Sequence, residues 1–296
     1  MPRYSYVNGH YVPHGEAAVH IEDRGFQFAD GVYEVISCVS GHFADEVGHL
    51  DRLERSLREM RIAMPMPRKA LQLVMREFIR RNRIKNAYVY IQVTRGAAPR
   101  DFKFPQGDIK PTLVVSAIGC ARFDMAERKN LLKKAVTVPD LRWKRRDIKA
   151  TCLTAQVLAK QMAVDRGAYE ALMVDDDGFI TEGSSTNAWI VDKKGTLVTR
   201  PTDHNDILKG VTRNAIQALC KKEGVKLVER AFTPAEAYKA KEAFITAATT
   251  LVMPIVSIDG YKIGDGKLGK LTSKILDFYF DYASDKKRKQ EHWTPT

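Results

Sequence analysis

The chain has 296 residues, 44% hydrophobic and 28% charged, so it is long enough for two ordinary domains with a sizeable buried core. No run approaches the roughly 18 apolar residues that a membrane helix requires. The polar start over Met1–Ser5 also lacks the apolar core of a signal peptide. These features predict a globular protein of the cytoplasm with no membrane partner.

The formal net charge of +12 raises the alternative of a nucleic-acid-binding protein. One basic cluster, 286–289, lies in a polar C-terminal tail, and others lie on helix-like segments, where exposed charge is common. No helix-turn-helix, zinc-finger or aromatic-stacking pattern accompanies them. A basic surface also attracts small anions such as dicarboxylates and phosphorylated cofactors. We therefore expect small anionic ligands and no nucleic acid.

The four cysteines are scattered along the chain at positions 38, 120, 152 and 220. They show none of the close pairing that marks a redox motif or a zinc site. We expect reduced thiols and no bound metal.

The first third of the chain alternates strand-like and helix-like segments. Its predicted elements are a β-hairpin turning at Asn8-Gly9, helices over 50–60 and 68–81, and strands over 88–94 and 112–118. The loop 95–111 between the last two strands is long for a hairpin, which favours a functional role, and it contains Arg100.

The pattern changes near Gly119-Cys120, where a second domain is predicted to begin. Its predicted strands cover 135–138, 170–174, 188–191, 196–198, 226–229, 243–246 and 254–258; its predicted helices cover 154–166, 211–223 and 267–281, with a short helix after the capping box at Thr233. The predicted division is a domain over 1–119, a domain over 120–284 and a basic tail over 285–296. The mixture indicates α/β and α+β layers rather than a bundle or a sandwich.

A dense run of charge precedes the helix predicted to begin at 154. Residues 143–149 include five ionisable side chains, the last of them Lys149. A lysine that is crowded by cations and partly desolvated releases its proton more readily, as a lysine that forms a Schiff base must. Charge runs are more often solvated faces, so this run alone does not establish a site.

Two further segments have a composition suited to a polar ligand. Residues 181–187 place one carboxylate, Glu182, among hydroxyls and a glycine, where it would suit a protonated ring nitrogen, although a polar hairpin turn explains the segment equally well. Residues 208–213 end a loop and open a helix, whose first N–H groups suit a phosphate, although such helix starts are common. Residues 246–250 offer further hydroxyls at a strand end.

Taken in order, these segments resemble the fold type IV pyridoxal-phosphate aminotransferases, and within them the D-amino acid aminotransferases most closely. The resemblance spans nearly the whole chain up to the tail, and it is carried by 22–35, 49–53, 93–96, 99–100, 142–143, 147–149, the turn at Glu182 and 209–213. It implies a small N-terminal α+β domain and a larger C-terminal α/β domain with a pseudo-barrel, the cofactor lying at the domain interface.

The same resemblance implies a division of labour among named residues. Lys149 would carry pyridoxal 5'-phosphate as a Schiff base and act as general acid and base, while Glu182 would pair with the ring nitrogen. The remaining implied cofactor-binding residues are Arg52, Ser185, Leu208, Val211, Thr212 and Thr249. Tyr33 and Arg100 would bind the substrate carboxylate, with Arg100 reaching in from the other subunit of a homodimer. The implied reaction is a ping-pong transfer of an amino group between a D-amino acid and a 2-oxo acid.

The sequence departs from the family pattern in two places. The family typically has a histidine two residues after the loop arginine, and here that position is Phe102, whose ring cannot donate to a carboxylate. The carboxylate clamp would then work without it, recruit Lys103, or serve a different substrate. Ala247-Ala248 stands where the family often offers hydroxyls to the phosphate, leaving Thr249 as the nearest replacement; losing one neutral hydrogen bond costs about 1 kcal/mol.

Other activities remain open on the same scaffold: branched-chain L-amino acid aminotransferase, (R)-amine transaminase and aminodeoxychorismate lyase. The segments 31–35 and 99–100 favour the D-amino acid branch, whereas Phe102 weakens that preference. A different class, a basic non-catalytic protein that binds anionic polymers, also stays open. Visible absorption from a lysine-bound cofactor would separate it from the enzymes.

Overall fold

The computed structural model describes residues 2–119 and 125–284, which form two compact units. The described part of the first unit is 2–119 together with Ile148–Cys152, and that of the second is 125–147 with 153–284. The first unit therefore includes the segment that carries Lys149, whereas the sequence-based division places that segment in the second domain. Cys120 and the basic tail 285–296 lie outside the described residues.

A six-stranded antiparallel sheet forms the first unit. Its strands are β1 (Tyr4–Val7), β2 (His10–Pro13), β3 (Gly31–Val39), β4 (His42–Phe43), β5 (Ala87–Thr94) and β6 (Thr112–Gly119), in the spatial order β2-β1-β6-β5-β3-β4. Val89, Ile91 and Val93 alternate along β5 and are fully buried, as expected for a sheet with one face in the core. The predicted hairpin and the strands predicted over 88–94 and 112–118 are confirmed.

Three α-helices accompany this sheet: α1 (Arg24–Phe28), α2 (Glu46–Glu59) and α3 (Arg68–Arg81). Leu50, Leu53 and Leu57 recur at helical spacing along α2 and are buried in the core, each contributing roughly 1.5–3 kcal/mol of burial. The Asp23 carboxylate accepts a hydrogen bond from the Gly25 N–H and so caps the start of the short helix α1; Ala29, which has a left-handed conformation, follows its last residue.

The second unit is built on a nine-stranded mixed sheet. Its strands are β7 (Lys133–Pro139), β8 (Glu170–Val174), β9 (Ile180–Gly183), β10 (Asn187–Val191), β11 (Leu197–Thr199), β12 (Leu227–Glu229), β13 (Glu242–Ala247), β14 (Leu251–Ile258) and β15 (Tyr261–Lys262). The order is β12-β11-β10-β13-β14-β7-β8-β9, with β15 paired to β14. Parallel pairs (β7 with β8 and with β14) and antiparallel pairs occur together, which confirms the predicted mixture of α/β and α+β layers.

The helices of the second unit are α4 (Met125–Lys129), α5 (Thr154–Asp165), α6 (Val211–Lys222), α7 (Pro234–Tyr238) and α8 (Lys270–Ser284). The capping box predicted at Thr233 is present, with the Thr233 hydroxyl and the Glu236 carboxylate each accepting the other's backbone N–H. Within the described part of the chain, no helix has both the length and the apolar character needed to cross a membrane.

Candidate active site

Lys149 is held by backbone pairing to β3. Its carbonyl oxygen accepts a 3.0 Å hydrogen bond from the Tyr33 N–H, Ala150 bridges Val32, and the Thr151 N–H donates to Gly31 O at 3.0 Å. Residues 149–151 therefore pair alongside residues 31–33 of β3 as a short extra segment of the sheet. This pairing fixes the lysine backbone independently of its side chain.

The side chain of Lys149 points at an aromatic pair. Its Nζ lies 4.2 Å from the centroid of the Tyr33 ring, and that ring stacks on Tyr90 with 5.6 Å between centroids. Tyr33 faces Gln92 across β3 and β5, so Tyr90 is its diagonal neighbour on the same face of the sheet. The structure thus brings together Lys149 and Tyr33, the predicted catalytic and substrate-binding residues.

The charge run before Lys149 is largely compensated by carboxylates. Arg145 pairs with Asp147 at 3.0 Å, and Arg146 lies 3.4 Å from Asp140. The sequence-based argument that neighbouring cations crowd the lysine is weakened, because two of those cations already face acidic partners. What the structure does show is that the backbone of Lys149 is held in place by pairing to β3.

Arg52, predicted to bind the cofactor phosphate, makes a buried ion pair with Glu34. Its Nε and Nη2 donate to the two Glu34 carboxylate oxygens at 2.7 and 2.8 Å, and His49 Nδ1 lies 2.7 Å from Glu34 Oε2. Burial alone would raise the pKa of Glu34, but the Arg52 guanidinium and the His49 ring hold it at about 2. The carboxylate is ionised at neutral pH and fixes the direction of the arginine.

The loop that carries Arg100 is attached to α1. The Arg24 N–H donates to Gly96 O at 2.9 Å, and Arg24 Nη1 donates to Asp101 O at 2.6 Å. The Arg100 guanidinium lies over the Phe28 ring, 4.6 Å from its centroid, while the side chain remains exposed. Phe102 is 86% exposed, so the predicted departure from a histidine places an apolar ring at the surface of this chain.

In the second unit, Glu182 is the centre of a buried polar network. It lies in β9 rather than in the turn, which covers 184–186, and it is 4% exposed. Its carboxylate accepts hydrogen bonds from Arg142, from Asn187 Nδ2 at 2.9 Å and from the Leu208 N–H at 3.1 Å. Burial raises the pKa of Glu182, and the Arg142 guanidinium opposes that rise.

Asn187 connects this carboxylate to the start of α6. Its Nδ2 also donates to Leu208 O at 3.0 Å, and its Oδ1 lies so close to Gly210 that a Cβ there would clash. Gly210 therefore lets the asparagine pack against the loop that opens the helix. The predicted Glu182 segment and the predicted helix start are brought together by this contact.

Two of the predicted phosphate-binding residues open that helix. Val211 and Thr212 are buried in the first turn of α6, and Gly210 brings no side chain to cap it. The Thr212 hydroxyl lies 3.5 Å from Tyr279 Oη, Thr249 lies in the turn between β13 and β14, and Ser185 is exposed in the turn after β9.

Three residues that contact predicted site residues, two in the second unit and one in the first, were not assigned a role by the sequence. Arg142 and Asn187 contact Glu182 directly, and Glu34 orients Arg52. Each lies within a segment that carries the family resemblance or beside a predicted site residue. The sequence therefore indicated the segments in which these residues lie, but not their partners, which are 40 residues apart for Arg142 and Glu182.

Comparisons with known proteins assign this fold and these residues to a family. The model of the family "Amino-transferase class IV" matches residues 31–258, which include all three predicted segments. The chain therefore belongs to the class IV aminotransferases. It is a transaminase that depends on pyridoxal phosphate, as the class does, and the predicted family, fold class and cofactor are confirmed.

Similar proteins of known name cover nearly the whole chain. This chain is 36% identical over 282 residues to a D-alanine aminotransferase of Staphylococcus haemolyticus, and the match covers 95% of this chain and 98% of that one. It is 36% identical over 268 residues to a D-alanine aminotransferase of Bacillus licheniformis, covering 90% and 93%. A branched-chain amino acid aminotransferase structure from Escherichia coli superposes with a TM-score of 0.87 at 24% identity over 99% of this chain and 98% of that one. At that identity the superposition shows the shared fold.

The residues of the second unit have the chemistry to receive pyridoxal phosphate. A buried carboxylate with an arginine partner suits a protonated ring nitrogen, and an uncapped helix start suits a phosphate. Thr250 Oγ1 is buried and has no hydrogen-bond partner among the described residues, so a further donor is available in the turn after β13. The alanines at 247–248 offer no such hydroxyl.

Proposed function

We propose that the chain transfers amino groups between D-amino acids and 2-oxo acids. The observation that carries the proposal is the identity of about one third, over nearly the full length, to proteins named D-alanine aminotransferase. The branched-chain alternative draws on solved structures that are 23–24% identical to this chain, which is a likeness of fold. The D-amino acid branch is therefore the better supported substrate class.

In this proposal Lys149 is the catalytic residue. When bound, the cofactor supplies an aldehyde that captures amines covalently and a ring that withdraws electrons from the bond to be broken. The Lys149 amine would hold the cofactor before substrate arrives and would move the proton at the substrate α-carbon afterwards. Its backbone attachment to β3 fixes the point from which the side chain extends.

The residues that would hold the cofactor fall into two groups, one for the ring nitrogen and one for the phosphate. Glu182, oriented by Arg142, Asn187 and Leu208, would accept the hydrogen bond of the ring nitrogen. The proposed phosphate ligands are Arg52, the N–H groups of Val211 and Thr212, the Thr212 hydroxyl and Thr249, with Ser185 as a further polar neighbour and Leu208 packing against the ring. The proposed set contains several donors, so the loss of any single neutral donor would be tolerable.

Tyr33 and Arg100 are the proposed binding residues for the substrate carboxylate. A guanidinium is the side chain best suited to a carboxylate, because it donates two parallel hydrogen bonds. Phe102, two residues after Arg100, stands where the family pattern has a histidine, and its ring cannot donate a second hydrogen bond to the carboxylate. The chain would therefore hold small carboxylates with one charged residue.

We further propose that the protein acts as a cytoplasmic homodimer with Arg100 serving the partner's substrate. Helix α5 supports an interface, because Val157, Leu158 and Val164 are each more than half exposed while Ala159 and Ala163 face the core. A second copy of the chain would remove this apolar surface from water. Light scattering of the wild type and of Leu158→Glu tests the assembly: a monomeric wild type refutes it.

The half-reaction with single amino donors tests the proposed substrate class. D-alanine or D-glutamate should convert the absorption of the lysine-bound cofactor to that of its amine form, whereas L-leucine, an (R)-amine or aminodeoxychorismate should not. Conversion by one of the latter compounds and not by D-amino acids would refute the proposal.

Replacement of the lysine tests the catalytic assignment. Lys149→Ala should abolish both the visible absorption of the bound cofactor and the transfer, whereas Lys144→Ala, a matched change of an exposed lysine in the same run, should leave both unchanged. A coloured, active Lys149→Ala protein would contradict the role of Lys149. A protein that pyridoxal phosphate cannot colour, but that binds nucleic acid in a salt-sensitive way, would revive the anion-polymer alternative.

A further inference from the structure

Phe28, the last residue of α1, is the shared contact of three side chains on or near the Arg100 loop. Its ring centroid lies 4.6 Å from Arg100 Cζ and 4.8 Å from Arg24 Cζ, and 5.5 Å from the ring centroid of Phe102. An arginine within about 6 Å of a ring centroid is attracted by the negative face of the ring. Phe28 is half-buried, so it offers a fixed ring at the protein surface.

The backbone of the loop is already fixed on both sides of Arg100. Before it, Gly96 O accepts the Arg24 N–H, and the Ala98 N–H donates to Glu22 O at 3.3 Å. After it, Asp101 O accepts from the Arg24 side chain. What these contacts leave unfixed is the direction of the long, exposed Arg100 side chain.

Arg24 is itself firmly placed. It is 3% exposed and its Nε donates to the Asp30 carboxylate at 2.8 Å, while Arg95 donates to the same carboxylate at 2.7 Å. Asp30 therefore balances two buried guanidiniums and keeps α1 and the start of the loop together. Phe28 is the last residue of α1, so its ring is attached to a helix that these ion pairs hold in place.

We propose that Phe28 is a positioning residue that holds the Arg100 guanidinium ready for the substrate carboxylate. The proposal rests on the proposed role of Arg100. An arginine gives up much rotamer freedom when it binds a ligand, and prior contact with a ring reduces that loss. Phe102 contacts the same ring, so at the position of the family's histidine it adds to the packing around Phe28 and donates no hydrogen bond.

The test is the kinetics of Phe28→Leu, which keeps an apolar side chain but removes the ring. The KM for the amino donor should rise by about 3- to 10-fold, as expected for loss of one partly exposed cation–π contact. The kcat and the absorption of the bound cofactor should be unchanged, and Phe28→Tyr should restore the KM. The matched control is Phe26→Leu, on the same helix and 72% exposed, which should behave as the wild type.

Pentafluorophenylalanine at position 28 separates attraction by the ring from packing. It keeps the shape of phenylalanine but removes the negative charge of the ring face, so the KM should rise as in Phe28→Leu. This protein also serves if Phe28→Leu folds poorly. A wild-type KM in the fluorinated protein would overturn the proposal.

A double variant ties the effect to Arg100. Phe28→Leu should add nothing to the KM of Arg100→Ala, because the contact is already absent. Full additivity, a normal KM in Arg100→Ala, or a Phe28→Leu effect on kcat alone would each overturn the proposal. If the wild type rejects D-alanine but uses another amino acid, the proposed substrate class fails, and the same kinetics with that amino acid still decide the role of Phe28.

Discussion

Replacing Glu34 by glutamine is expected to destabilise the first unit in a pH-dependent way. Glu34 is fully buried, and its pKa is about 2 against an ordinary value of 4.5. At about 1.36 kcal/mol per pKa unit, that gap corresponds to about 3 kcal/mol of stability from the ionised carboxylate. Removal of one partner from a buried ion pair generally costs about 3–5 kcal/mol, which agrees with this figure and is the same loss estimated in a second way.

The sign of the pH dependence follows from the lowered pKa. The stabilisation is fully present above pH 4.5, the ordinary value for the carboxyl, and is lost as pH falls towards 2. Glu34→Gln has no such titration. The gap in unfolding free energy between the wild type and Glu34→Gln should therefore be about 3 kcal/mol at pH 7 and shrink progressively below pH 4.5.

Urea unfolding between pH 3 and pH 7, with cofactor loaded and with cofactor removed, measures this gap. The matched control is Glu77→Gln, whose carboxylate pairs with Arg80 and Arg81 on the surface of α3. The pKa of Glu77 is also about 2, held down by those two arginines, but water and salt screen the exposed pairs. The reasoning is refuted if Glu34→Gln is as stable as Glu77→Gln, or if its deficit does not change with pH.

Three further outcomes are expected from the site. Gly210→Ala should weaken pyridoxal-phosphate binding, on the order of 10-fold or more, because the added Cβ displaces Asn187; equilibrium dialysis measures this. Arg142→Gln should shift the acid limb of the kcat profile to higher pH, since removing the guanidinium raises the pKa of Glu182 further. Phe102→His should lower the KM for D-alanine by about 10-fold, because a donor to the carboxylate is restored.

Each of these has a matched comparison. Gly15→Ala adds a Cβ into open space, so normal cofactor affinity is expected there, and equal losses at both glycines would contradict the role of Gly210. An unshifted acid limb in Arg142→Gln would show that Glu182 does not depend on the arginine. An unchanged KM in Phe102→His would remove position 102 from the carboxylate clamp, and Phe102→Leu controls for the loss of the phenylalanine ring.

The local elements of the fold were predictable because each leaves a short-range pattern. The Asn8-Gly9 turn, the α2 leucines and the Thr233 capping box act within one hairpin or one helical turn, and the structure has all three. The strand β3 was not predicted from the sequence, because its burial is nearly continuous and leaves little alternation.

The partners within the candidate site were not predictable in the same way. Arg142 and Glu182 are 40 residues apart, and the Arg100 contact joins a loop to the end of α1. A charge run shows that cations are present but not which carboxylate each one faces. The resemblance supplied Lys149, Glu182 and their proposed roles, and the described contacts add the residues that orient them.

The pairing of residues 149–151 with β3 also bears on how the protein is made. The first unit is discontinuous in the chain, since Ile148–Cys152 joins it only after part of the second unit has left the ribosome. Until then the backbone groups of Gly31 and Tyr33 that bind this segment have no partner, and an open strand edge readily pairs with other chains. A fragment that stops at residue 119 would keep that edge open for good, so we expect it to aggregate where the full chain does not.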